Sequence, residues 1–221
     1  MPDAQVAAPA HTGRSPDVSA KHFLFDVLTA AGHVTPTLPL VAELVRRGHR
    51  VDYATGQDHA AEVRAAGAHW VPLPTFPPFE SSDLSVDAFK RFLRHYFAAQ
   101  RATYSVLLAH CAAQRPDVIC RDATNWPGRL VATRLGIPEA CTFPHLASNE
   151  HFSMAARMAA GVGGGDPVTD ALGGPCEEFT AEQGISLTPH ERLWLNAGYA
   201  DIASVASCGS FREPPFAVLA F

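Results

Sequence analysis

Near-continuous apolar runs alternate along the chain with stretches whose apolar residues recur every three or four positions. His22 to Leu28 (HFLFDVL) is almost wholly apolar, as a strand covered on both faces requires. From Thr37 to Arg47, Leu38, Val41, Leu44 and Val45 share one helical stripe, and Gly48 supplies a stop. His49 to Thr55 reads as a second strand, Gln57 to Gly67 as a second helix and His69 to Pro74 as a third strand. This βαβαβ order demands right-handed crossovers between parallel strands, and so implies half of a doubly wound sheet.

The alternation continues beyond a loop rich in Pro and Phe, Thr75 to Ser85. Val86 to Gln114 predicts one long helix or two, Asp117 to Ala123 a fourth strand, Trp126 to Gly136 a helix with Pro127 near its start, and Pro138 to Pro144 a fifth strand. Further helices are expected over Asn149 to Ala160, Glu177 to Gln183 and Pro189 to Leu195, with a last strand over Ala200 to Cys208. Gly161 to Pro175 is glycine-rich enough to predict a mobile surface loop. Residues 1–21 lack periodicity and read as a flexible arm, leaving 22–221 as a single α/β domain, a Rossmann-like parallel sheet with helices on both faces.

Composition narrows the function. Of 221 residues 47% are hydrophobic and only 18% charged, so the chain is built to bury a core. The net charge of −5 comes with no basic block to follow phosphates, which argues against nucleic acid as a partner. No apolar run is long enough for a membrane span, and the first residues lack the apolar core of a signal peptide; the cytoplasm is the expected compartment. The 5 cysteines are scattered without C-x-x-C, and the 11 histidines without H-E-x-x-H, so no metal is expected.

In open α/β sheets ligands bind beyond the carboxyl ends of the strands. After the first strand comes Ala30-Ala31-Gly32-His33-Val34-Thr35-Pro36, which sets an imidazole at that edge, immediately before a helix. The helix dipole disfavours its protonated form, making His33 a candidate base; a role in helix capping remains the alternative. After the fourth strand, Asp122 is placed to orient that imidazole, or else to cap the following helix, as Asn125 could, or to pair with Arg121 or Arg129. The first loop is not G-x-G-x-x-G and the Gly161–Pro167 segment is not a P-loop, so no nucleotide cofactor is expected. Phe76, Phe79, Trp126 and Phe143, with Phe152, fall in loops that would line a cleft for an apolar molecule. Phe89, Phe92, Tyr96 and Phe97 instead follow the spacing of a packed helix face. Asp26, in an otherwise apolar strand, needs a partner or a raised pKa and has no assigned role.

The segment HFLFDVLTAAGHVTPTLPLVAELVRRGHRVDYAT resembles the start of the macrolide-type UDP-glycosyltransferases. In that family the G-H-V-x-P loop carries a general-base histidine, matching His33, and the P-D-x-x-x-x-D segment its carboxylate partner, matching Asp122 in Pro116 to Asp122. The chain differs in having Thr35 where asparagine is common and Ala31 where histidine or glycine is common. The resemblance implies the N-terminal, acceptor-binding half of a GT-B fold, with an inverting transfer from a nucleotide sugar to a hydroxylated lipophilic acceptor and no metal. It also implies that the donor is held mainly by a C-terminal domain this chain does not include, leaving weak or no activity alone. A non-catalytic binding or accessory protein derived from such an enzyme is the alternative.

Overall fold

A computed structural model describes residues 19–74, 85–143, 167–185 and 217–220. Six strands, β1 (His22–Asp26), β2 (Arg50–Thr55), β3 (His69–Pro72), β4 (Val118–Asp122), β5 (Glu139–Phe143) and β6 (Ala217–Ala220), form one sheet in the order β3-β2-β1-β4-β5-β6. Every neighbouring pair is parallel. The order reverses direction between β1 and β4, and that switch point opens the crevice.

Among the described residues five α-helices, α1 (Ala31–Arg46), α2 (Ala60–Ala65), α3 (Val86–Gln114), α4 (Trp126–Leu135) and α5 (Pro167–Gln183), cover the two faces. Leu24, Ala54, Val71 and Ile119 share one core with α3, α4 and α5. Phe25, Val51, Tyr53 and Cys120 share the other with Val34 and Val41 of α1 and Val63 of α2. Successive strand residues thus serve opposite faces, and the continuously apolar strands follow from burial on both sides. Among the described residues no helix is long and apolar enough to cross a membrane.

The strands expected from the sequence all form where described, with ends shifted by a residue or two. Three departures have physical causes. The loop expected before α1 is already helical from Ala31, despite Pro36 and Pro39. Those prolines read locally as breakers, but Val34 and Val41 are fully buried against the sheet, and Thr37 Oγ1 donates to Val34 O at 2.8 Å. Packing outweighs the two missing amide donors.

The glycine-rich stretch expected as a mobile loop is, from Pro167 onward, the first half of α5. Val168, Ala171, Leu172, Cys176 and Phe179 form its buried stripe, while a side chain added at Gly173 or Gly174 would meet open space. The glycines lie off the packed face, so tertiary burial overrides their poor helix propensity. The third departure is β6, which pairs Ala217 to Ala220 with β5, whereas the last strand was expected earlier. That segment, Ala200 to Cys208, lies outside the described residues, as do the helices expected over 149–160 and 189–195, the 75–84 loop and residues 1–18 of the proposed arm.

Phe179 holds α5 in place, meeting Trp126, Tyr104 and Phe97 edge-on at centroid distances of 5.3, 5.3 and 6.2 Å. Phe179→Ala is therefore expected to destabilise the fold by about 3–5 kcal/mol, read from urea unfolding. A loss below about 1 kcal/mol would mean that α5 is not part of the cooperative core.

Candidate active site

The carboxyl ends of β1 to β4 border a cleft of about 410 Å3. Val27, Leu28, Thr29 and Ala30 line it after β1, Gly56 to Asp58 after β2, Leu73 and Pro74 after β3, and Asn125 after β4. One side of α3 closes it through Phe92, His95, Tyr96, Ala99, Gln100 and Thr103. Helix α3 is capped by Ser85, whose Oγ accepts from Ala88 N at 3.1 Å, and buries Leu93, Phe97, Gln100, Tyr104, Leu107 and Cys111 at alternating four- and three-residue steps. Gln100 is thus a polar residue on an otherwise apolar stripe.

His33 and Asp122 are not among the lining residues but meet at the same carboxyl edge of the sheet. Nδ1 of His33 lies 2.7 Å from Oδ2 of Asp122, although the residues are 89 apart in sequence. The His33 side chain is 20% exposed and that of Asp122 only 1%. His33 sits in the first turn of α1, three residues after cleft-lining Ala30; Asp122 ends β4, three residues before cleft-lining Asn125. The other oxygen of Asp122, Oδ1, accepts from Thr124 N at 2.8 Å and Thr124 Oγ1 at 2.6 Å. Three donors therefore meet one buried carboxylate, as its ionised form requires. With Nδ1–H given to Asp122, the basic lone pair of His33 is on Nε2. Thr124 is fixed in turn by Tyr96, whose hydroxyl donates to Thr124 O. Neither Thr124 nor Tyr96 was singled out as a site residue from sequence; a hydroxyl two residues after the carboxylate was the available signal for Thr124.

The alternative of Asp122 as a helix cap is replaced by another residue from another strand. Asp26, next to Arg121 in the β1–β4 register, points to the α4 face. Its Oδ2 accepts from Gly128 N at 3.0 Å, in the first turn of α4, and its Oδ1 accepts from Asn125 Nδ2 at 3.0 Å. Asn125 itself makes no capping bond; its Oδ1 accepts from Gln100 Nε2 at 2.9 Å. Asp26 is fully buried, and desolvation pushes its carboxyl up to about 7 against the pull of these two donors. Arg121, also fully buried, donates through Nε to Glu139 Oε2 at 3.0 Å rather than to Asp122.

The aromatic residues fall differently from expectation. Trp126 does not line the cleft: it is 2% exposed and packs on Phe97, Tyr104 and Phe179. As the first residue of α4 it is turned into the helix layer, where burial of the indole is most favourable. Conversely Phe92 and Tyr96, expected as packing residues, stack at 6.0 Å and form the cleft wall. Phe76, Phe79 and Phe152 lie outside the described residues, and for Phe143 the structure describes only its place at the end of β5. Among the described residues no cluster of His, Cys, Asp and Glu has the arrangement to hold a metal ion.

No protein-family model matches the chain. It is 34% identical over 190 residues to demethyllactenocin mycarosyltransferase of Streptomyces fradiae, across 80% of this chain and 41% of that protein. To oleandomycin glycosyltransferase of Streptomyces antibioticus it is 32% identical over 133 residues, 58% of this chain and 30% of that one. The solved structure of the calicheamicin glycosyltransferase CalG4 matches with a TM-score of 0.68 and 28% identity, over 80% of this chain and 46% of that one. The glycotransferase of kitacinnamycin matches with a TM-score of 0.62 and 25% identity, over 81% and 44%. By sequence and fold the chain matches the N-terminal part of natural-product glycosyltransferases of GT-B fold. It spans less than half the length of these relatives.

Two stability measurements test the buried polar layer. A Cβ at Gly128 would lie 2.8 Å from Asp26 Oδ2 and 3.0 Å from Arg121 Cβ. Gly128→Ala is therefore expected to destabilise by about 1–3 kcal/mol in denaturant unfolding, although alanine is the better helix former. Asp26 gives a signed pH dependence, because its carboxyl ionises near 3.8 when unfolded and near 7 when folded. Its contribution is fully present below about pH 4 and is lost as pH rises to about 7, where the unfolded chain holds fewer protons. Relative to Asp26→Asn, the wild type should lose about 1–4 kcal/mol across that window and nothing further above it. Parallel stability curves for the two proteins would refute the assignment.

Proposed function

We propose that the chain is the acceptor-binding, base-supplying part of a glycosyltransferase that moves a sugar from a nucleoside-diphosphate sugar to a hydroxyl of a lipophilic natural product. The observation that carries this reading is the 2.7 Å contact between His33 Nδ1 and Asp122 Oδ2 at the carboxyl edge that borders the cleft. The names of the relatives, which act on lactenocin-type, oleandomycin and calicheamicin compounds, favour a polyketide-like acceptor.

In this mechanism a substrate hydroxyl approaches Nε2 of His33. As its oxygen forms a bond to the anomeric carbon, Nε2 takes the proton and the bond from that carbon to the diphosphate breaks, inverting the configuration. Asp122 holds the ring in the Nδ1–H tautomer and stabilises the imidazolium that results. Thr124 keeps Asp122 from rotating, and the cleft supplies apolar contact with the body of the acceptor. The donor sugar would be held mainly by sequence corresponding to the remaining length of the relatives, so its identity is set outside the cleft described here.

The test joins the chain to the C-terminal half of the Streptomyces fradiae relative and follows sugar transfer from UDP- and TDP-sugars to a panel of macrolide aglycones and polyphenols. His33→Ala is expected to lower transfer by about 10²- to 10⁴-fold, and Asp122→Asn substantially, with acceptor affinity nearly unchanged. Transfer that survives His33→Ala would remove the base assignment. Acceptor binding without transfer in any pairing would favour a non-catalytic binding protein.

A further inference from the structure

Gln100 is 4% exposed, lies on the buried stripe of α3 between Phe97 and Tyr104, and forms part of the cleft wall. Its Nε2 donates to Asn125 Oδ1, but its Oε1 has no hydrogen-bond partner among the described residues. The direction of that amide follows from its neighbours. Gly128 N–H can only donate to Asp26, and Asn125 approaches the other carboxylate oxygen through Nδ2. Asn125 therefore turns its oxygen outward and requires a donor. Gln100 meets that demand with Nε2, which leaves Oε1 as an acceptor. A buried oxygen in this state has lost its water without gaining a partner, and a ligand donor would relieve that cost.

We propose that Gln100 Oε1 is a specificity-determining acceptor, receiving a hydrogen bond from a hydroxyl of the molecule bound in the cleft other than the one presented to His33. This rests on the acceptor-site reading above and deepens it. The occupant is then an apolar molecule with at least two hydroxyls, read at one of them by a group that rejects an ether, a carbonyl or a bare C–H in the same place. Discrimination of this kind is stronger than that of an apolar wall, because the wrong ligand leaves Oε1 unpaired. The relay from Asp26 through Asn125 sets which end of the Gln100 amide faces the ligand.

The experiment is calorimetric titration of the full chain at pH 8, with Asp26 ionised, using kaempferol and its analogues apigenin and galangin, each of which lacks one of its hydroxyls. Wild type is expected to prefer kaempferol over one of the analogues by about tenfold. In Gln100→Met that ratio should fall to near one, with affinity for the disfavoured analogue unchanged; loss of a merely structural residue would weaken all three alike. In Gln100→Asn, which keeps a buried amide but draws its oxygen back by one carbon, the ratio should also fall below wild type, a shift that stands as a test even if Gln100→Met does not fold. A full ratio in Gln100→Met, an unchanged ratio in Gln100→Asn, or no discrimination by wild type overturns the role of Gln100. Failure of all three compounds and of the macrolide aglycones to bind wild type overturns the acceptor-site reading itself, and the proposal with it.

Discussion

The architecture at the switch point depends on keeping two buried carboxylates satisfied. Asp26 and Asp122 end neighbouring parallel strands, and both are 0% exposed. A carboxylate withdrawn from water is tolerable only when donors surround it. The pleat sends the two to opposite faces, so each recruits a different helix. Asp122 takes His33 from α1, and Asp26 takes the first turn of α4. The loops between are shaped by that requirement, since Thr124 must serve one acid and Asn125 the other.

This division explains why one carboxylate suits chemistry and the other suits scaffolding. Asp122 touches an imidazole that is partly open to solvent. Asp26 touches only an amide and a backbone N–H deep in the core, and burial lifts its carboxyl to about 7. Acids of one residue type, on adjacent strands, are set to different tasks by their surroundings.

The sheet and its helices were legible from local pattern, because continuously apolar strands report directly on position; the same pattern set His33 and Asp122 at one sheet edge but left capping open for both, and their pairing was favoured only by the family resemblance. Where the reading failed, the deciding fact was tertiary. The prolines of α1 and glycines of α5 argue locally against helix, and only the buried faces of Val34, Val41, Leu172 and Phe179 reverse that. Asp26 had no legible partner because Gly128 lies 102 residues away and contributes a backbone group, which no side-chain pattern records. Trp126 and Tyr96 exchanged their expected places because spacing identifies a helix but not which of its sides faces the core and which the cleft.

The long helix α3 carries one side of the cleft wall, whereas the His33–Asp122 pair hangs from α1 and β4. Among the described residues wall and pair are linked by the hydroxyl of Tyr96 on Thr124 and by Gln100 through Asn125, whose N–H donates to Asp122 O. Shape and reactivity are therefore built as separable modules. Drift along the exposed steps of α3 can redraw what is admitted while leaving proton abstraction intact, and positions 96 and 100 are where such divergence meets a constraint.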